Sequence, residues 1–276
     1  MKTKRKNIVL YIVLIILAIL FLAPVFIVLF NSFKGKLYVS EAPFKLPNRK
    51  SFIGLENYIN GIEKTGFLKA FGWSVFITFF STAVIVLFTS MTGWYLTRMK
   101  GKLSNALYYI FVFSMIVPFQ MVMFTMTKMA NILHLDNPVG LIVLYLGFGS
   151  GLSIFMFAGF VKSIPIDIEE AALIDGCNPI KTFFLIVLPL LRPIYITVTI
   201  LNVMWIWNDY LLPYLVLGGD YKTIPMAIQY LRGGYGSIDM AIMMALLVLA
   251  IIPIIVFYLT CQKYIIEGVA AGAVKG

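Results

Sequence analysis

Histidine and cysteine are nearly absent from this chain of 276 residues, which holds one His and two Cys. The histidine, His134, has only Asp136 close by in sequence, and one imidazole with one carboxylate cannot assemble a zinc site or a nucleophilic triad. Two cysteines, Cys177 and Cys261, cannot supply a disulfide framework. Carboxylates are also few, with 12 Asp and Glu against 22 Lys and Arg. None of the long apolar runs carries the series of acidic side chains that a proton relay through a membrane needs. A phosphate-loop nucleotide site is missing too: Gly147-Phe148-Gly149-Ser150-Gly151 is not followed by Gly-Lys-Ser/Thr, and its glycines fit close helix packing inside an apolar segment. The net charge of +10 is scattered among many short segments, which argues against a nucleic-acid groove and fits charge at a membrane surface in contact with lipid. No metal or cofactor is therefore expected in the chain itself, and work that consumes energy would have to draw it from a partner.

What the chain has in excess is apolar surface. At 61% hydrophobic and 12% charged residues, with a mean hydropathy of +0.95, it carries more than a soluble domain of this size could bury. Runs long enough to cross a hydrocarbon core, which takes about 20 residues, lie at about 9–30, 71–97, 103–127, 138–161, 190–212 and 240–261. They predict an all-α integral membrane protein with six transmembrane helices in a single domain over 1–276. The first run follows Lys2, Lys4, Arg5 and Lys6 as in a secretory signal, but it is too long and no small-residue cleavage site closes it. It is expected to stay as the first span, with the N-terminus in the cytoplasm. Six spans bring the C-terminus back to that side, together with the loops at 98–102 and 162–192. The density of basic residues at the N-terminus and between Arg98 and Lys102 agrees with this orientation. Both cysteines would then lie in a reducing compartment. Pro118 and Pro253, inside the third and sixth runs, should bend their helices.

The most informative segment lies between the fourth and fifth runs, at 162–189. Ser163 can cap a helix whose first turn holds Pro165 and Asp167, and Gly176 supplies a left-handed residue to close it. Asn178 and Pro179 can then start a second helix that runs to Leu188-Pro189. The result is a helix-turn-helix whose small residues Ala171 and Ala172 leave one flank low enough to nest against another protein.

The spacing Glu170-Ala171-Ala172, three residues, Gly176, nine residues, Ile186-Val187-Leu188-Pro189 resembles the signature of ATP-binding-cassette importer permeases, with every fixed position filled. Further likeness runs through Met115-Ile116-Val117-Pro118, Trp205-Ile206-Trp207-Asn208-Asp209-Tyr210 and the tail Gly268 to Gly276, which is similar to the carbohydrate, maltose-type branch of binding-protein-dependent transmembrane subunits. The resemblance covers nearly the whole chain. It implies a cytoplasmic coupling element, a second homologous permease subunit, two cytosolic ABC ATPase subunits that bind the ATP and Mg, an extracytoplasmic sugar-binding protein and a plasma-membrane location. It gives the roles of the motif: Gly176 the turn, Glu170 the polar anchor toward the ATPase, Ala171, Ala172 and Leu173 the packing surface, with Ile186, Leu188 and Pro189 completing the element. Cys177 stands where the family more often has alanine, a change of little volume.

A second cluster, Trp205, Trp207, Asn208, Asp209 and Tyr210, falls in the outer part of the fifth run. Aromatic faces beside amide and carboxylate groups suit sugar recognition, and the same residues also suit an interfacial aromatic belt. The segment 218–237, rich in Gly and Tyr, is expected outside between the fifth and sixth runs, and in the family that the chain resembles this loop reaches the substrate-binding protein. The reading is a non-enzymatic permease subunit of an oligosaccharide importer. The alternatives are a permease of the same superfamily for another solute, such as an amino acid or phosphate, a proton-coupled secondary transporter, or a receptor-like membrane protein.

Overall fold

The computed structural model describes residues 2–229, 231 and 239–273. Among these, every regular element is helical, and one isolated antiparallel bridge pairs Lys34 with Phe52. In chain order the helices are α1 (Lys2–Asn31), α2 (Lys36–Glu41), α3 (Glu56–Thr65), α4 (Phe67–Arg98), α5 (Lys102–Ser114), α6 (Phe119–Ile132), α7 (Pro138–Val161), α8 (Asp167–Ile174), α9 (Pro179–Leu190), α10 (Arg192–Asn208), α11 (Leu211–Val216), α12 (Ile224–Gln229) and α13 (Met240–Ala273). The all-α membrane class expected from composition is the class observed. Contacts divide the chain into two compact units, Met1–Leu68 with Ala227–Ile255, and Lys69–Met226 with Val256–Gly276.

In the first unit α1 is apolar on every face, and its most hydrophobic window has none of its residues buried, which is the condition of a helix made for hydrocarbon. Its end is tied down by polar groups. Asn31 Nδ2 donates to Ile27 O and Pro43 O, each at 2.7 Å, and Asn57 Nδ2 donates to Ser32 O and Lys34 O, each at 2.8 Å. Lys34 is only 1% exposed; its Nζ donates to Ala42 O at 2.9 Å and lies 4.9 Å from the Phe30 ring centroid. Burial pushes this ammonium below the usual lysine range. Close approach within the unit falls at Gly61, where a Cβ would meet Ile242 and Leu246 side-chain atoms at 3.0 Å.

The second unit is built around α4, α5, α7 and α10. Gly93 lets α4 approach α7, since a Cβ there would lie 2.8 Å from Phe157 Cβ. Gly151 does the same between α7 and α5, facing Phe111 O at 2.7 Å, and Gly149 faces Ile85 Cδ1 at 2.8 Å. The packing role read from the glycine cluster thus holds at 149 and 151, whereas Gly147 faces open space. Helix α7 begins on Asn137, whose Oδ1 accepts from the backbone N–H groups of Val139 at 3.1 Å and Gly140 at 3.0 Å, with Pro138 at the first helical position where its missing N–H is harmless.

The bend expected at Pro118 is present: the third run, 103–127, is two helices, α5 and α6, at 105° across Met115-Ile116-Val117-Pro118, because Pro118 lacks the N–H an uninterrupted helix would need and restricts the residue before it. The fifth run begins at Arg192, 80° away from α9, and its helix stops at Asn208, where Asp209 turns extended. Among the described residues four helices are long and apolar enough to cross a membrane alone, and up to six crossings result if each bent pair counts as one. Part of the segment 218–237 packs against α4: Tyr221 stacks edge-on against Trp73 at 5.1 Å, Ile224 N donates to Ser74 Oγ at 2.8 Å, and α12 begins there. Its remainder at 230 and 232–237, like the tail beyond Ala273, lies outside the described residues.

Candidate functional site

Helix α8 is closed by a Schellman arrangement. Cys177 N donates to Ala172 O at 2.9 Å and Gly176 N to Leu173 O at 3.1 Å, and Gly176 sits at φ +84°, the left-handed conformation that a Cβ disfavours. Two residues later Asn178 Oδ1 accepts from Lys181 N at 2.8 Å and Pro179 opens α9, as the sequence predicts. Ser163 does not cap α8. Its Oγ donates backward to Phe160 O at 2.7 Å, and α8 starts only at Asp167, with Asp167, Glu169 and Glu170 in its first turn, where carboxylates suit the helix dipole. The middle of α9, Thr182–Val187, widens into a π-turn. Pro189 has no N–H to offer Leu185 O, and its ring would crowd that carbonyl, so the backbone relaxes just before it.

The two adjacent glutamates differ in burial, although both border one groove beside α8. Glu170 is exposed, in company with Ala171, Leu173 and Ile174, the last 86% exposed. Glu169 is 6% exposed. Its Oε1 accepts from Arg98 Nη2 at 2.7 Å and Nε at 2.9 Å, its Oε2 accepts from Trp94 Nε1 at 2.8 Å, and the same Arg98 Nη2 donates to Ile164 O at 2.9 Å. Ala172 is buried with Glu169, while Ile186 and Leu188 are half-buried and Pro189 is exposed. An apolar groove of about 340 Å³ runs beside α8, lined by Tyr95, Met99, Ile166, Glu170, Leu173 and Pro179 among others. The hairpin therefore has one face fastened to α4 and one face left open.

The second cluster is divided rather than gathered. Trp205 and Asn208 lie on the exposed face of α10 with Leu201 and Met204, at the spacing of one helical stripe. Trp207 is buried edge-on against Phe71, centroids 6.0 Å apart. The Asp209 carboxylate is already engaged: Oδ2 accepts from Tyr145 Oη at 2.9 Å and Oδ1 from Leu211 N at 3.0 Å, at the start of α11. Tyr210 stacks on Tyr214 at 5.1 Å. Trp205 also borders a cavity of about 280 Å³ between α7 and α10. In its wall Asn202 Nδ2 donates to Ser153 Oγ at 3.2 Å and to Val198 O at 2.9 Å. Sequence reasoning missed Asn202 and Ser153, although an amide in the middle of an apolar run was a usable signal. It missed Glu169, Arg98 and Trp94 because the motif spacing selects Glu170 and contacts across 71 and 75 residues leave no local trace. Among the described residues no group of His, Cys, Asp and Glu could hold a metal ion.

The hairpin thus presents an open face beside a fastened one, and the chain as a whole is similar to known transport proteins. Residues 90–270 match the family model described as binding-protein-dependent transport system inner membrane component. The chain is 41% identical to a probable starch degradation products transport system permease of Thermoanaerobacterium thermosulfurigenes, over 95% of this chain and 94% of that one. It is 35% identical to a multiple sugar-binding transport system permease of Streptococcus mutans, over 96% of each. Among solved structures it is similar to a bacterial ABC transporter involved in import of the acidic polysaccharide alginate, with a TM-score of 0.80, 23% identity and 95% and 96% of the two chains covered. That last likeness speaks for the fold.

Proposed function

We infer, from a chain that belongs to the family of binding-protein-dependent transport system inner membrane components, that it is the membrane-spanning permease subunit of an ATP-driven oligosaccharide importer. The observation that carries this reading is the α8–Gly176–α9 hairpin, fastened on the Glu169 side and open on the side of Glu170, Leu173 and Ile174. A rigid helical hairpin with one unfinished face is what a docked partner needs. The partner is a pair of cytosolic ATPase subunits that hold the ATP and Mg, with Glu170 as the polar anchor and Ala171, Ala172 and Leu173 as the packing surface. Ile186, Leu188 and Pro189 set the stiffness of the second helix.

A second, related permease completes the path, and an extracytoplasmic binding protein delivers the sugar. Relatives named for starch degradation products and multiple sugars support the carbohydrate class. The six crossings, with each bent pair as one span, form a single transmembrane domain in the plasma membrane with both termini in the cytoplasm. Trp205 and Asn208, on the open stripe of α10, are the groups placed to meet sugar, the indole against an apolar ring face and the amide toward hydroxyls. Trp207, Asp209 and Tyr210 serve the packing of the fold and not contact with sugar. ATP-driven closure of the ATPases displaces the hairpin and, through it, the spans that bound the path.

The test is uptake of labelled malto-oligosaccharide into vesicles that contain the chain, its partner permease and the ATPases. Uptake that requires both ATP and the binding protein is expected. Uptake that runs on a proton gradient without the ATPase would sink the reading.

A further inference from the structure

We propose that Arg98 and Glu169 form the strut that transmits movement of the α8–α9 hairpin to the spans, with Trp94 as its brace; the proposal rests on the importer reading above. Residues 94 and 98 are one helical turn apart at the end of α4, on one face. From that turn Trp94 and Arg98 reach three separate parts of the chain. Arg98 Nη2 holds Ile164 O, in the connector between α7 and α8. Arg98 and Trp94 together occupy both oxygens of Glu169, in the first turn of α8. The Trp94 ring packs on Phe183 in α9, centroids 5.5 Å apart.

The chemistry favours a rigid joint. A guanidinium fork fixes direction as well as distance, which apolar side chains sliding over one another do not. The Glu169 carboxylate is out of water, so separating it from Arg98 would leave a buried charge without a partner, and the joint resists opening. On its other side α4 is held to α7 by the close approach at Gly93. A push on the open face of α8 therefore reaches α4 directly, before the short connector 162–166 can flex and absorb it. Glu170 meets the partner and Glu169 passes the force on. Arg98 is a positioning residue here, since it contacts neither sugar nor nucleotide.

The test uses the whole reconstituted importer and compares Arg98→Ala, Arg98→Lys and Glu169→Gln with the unaltered protein. ATPase subunits should copurify at the unaltered level, because Glu170, Leu173 and Ile174 keep their side chains, although Arg98 and Glu169 line the same groove as Glu170 and Leu173. Sugar transported per ATP should fall about tenfold in Arg98→Ala and Glu169→Gln, within the usual range for coupling between two sites. Arg98→Lys, which keeps the charge and loses the fork, should fall between. In parallel, spin labels at Lys100 and Asp167, the latter exposed in the first turn of α8, in a background with Cys177 and Cys261 replaced by serine, report the joint itself. The distance should be narrow and the same with and without ATP in the unaltered complex, and broad in Arg98→Ala. Unaltered sugar per ATP in both charge-removing variants, or an equally narrow distance in Arg98→Ala, would overturn the proposal. If Arg98→Ala does not assemble, the Arg98→Lys and Glu169→Gln ratios and the distance in the isolated permease decide it. An unaltered complex that takes up no sugar would count against the importer reading, while the distances would still judge the strut.

Discussion

Glu169 and Glu170 have the same side chain and adjacent positions, and the helix turns one into the protein and the other out of it. A step of about 100° per residue is enough to separate a fastener from an anchor. His134 shows the same economy at the end of α6. It lies at φ +55°, with His134 N on Asn131 O at 3.2 Å and Leu135 N on Ala130 O at 2.8 Å, so the sole histidine closes a helix in the conformation usually left to glycine. His134→Gly should leave the thermal stability of the purified permease equal or higher, and His134→Val should lower it by about 1–2 kcal/mol. Melting curves of the two variants check this, and a valine variant as stable as the parent would contradict it. Asp209 is held by Tyr145 and the start of α11, so Asp209→Leu should reduce the amount of folded permease while the half-saturation for sugar, measured on what remains, stays the same. A raised half-saturation with normal protein level would instead put its carboxylate in the path. The sequence alone marked Asp209 as a carboxylate at a span edge, which is costly unless paired; the pairing partner, 64 residues away, left no local trace.

Among the elements, long apolar runs located α4, α7 and the membrane part of α1 and α13 closely, since length and composition are what a bilayer selects. The same signal ran straight through the break before Arg192, while Pro118 marked the bend in the third run. Hydropathy does not distinguish one bent span from a straight one, and the 105° bend between α5 and α6 and the 80° bend before α10 come from Pro118 and from the Pro189 to Pro193 stretch. The hairpin was the most legible element because turn chemistry is local: Gly176, Asn178 and Pro179 each act within a few residues. Ser163 failed as a cap because α7 extends far enough for its hydroxyl to be used there. Glycine identity was legible, but which glycines touch a neighbouring helix was not. Gly151→Leu should destabilise the α5–α7 contact by about 1–3 kcal/mol through overpacking, and Gly147→Leu should change little, since nothing lies within 4 Å of its would-be Cβ. Thermal melting of the pair is the check, and equal effects of the two substitutions would remove the packing argument.

At the level of the whole molecule, the described residues include helices enough to span a membrane up to six times, and among them no group of His, Cys, Asp and Glu could hold a metal ion. The proposed topology puts Cys177, in the turn of the hairpin, and Cys261, in α13, on the cytoplasmic side. A membrane-impermeant thiol reagent should leave both unlabelled in intact cells and label Cys177 after permeabilisation; labelling of Cys177 from outside would reverse the orientation. The central claim is that the hairpin couples this permease to an ATPase, and the position it depends on most is Gly176 at φ +84°. A β-branched residue there costs on the order of 1–3 kcal/mol and distorts the turn that presents Glu170 and Leu173. The most direct measurement is ATP-driven sugar uptake by vesicles carrying the complete importer with Gly176→Val, normalised to the permease present in the membrane. The account predicts normal insertion with uptake or ATPase binding lost, and unchanged uptake per permease would contradict it.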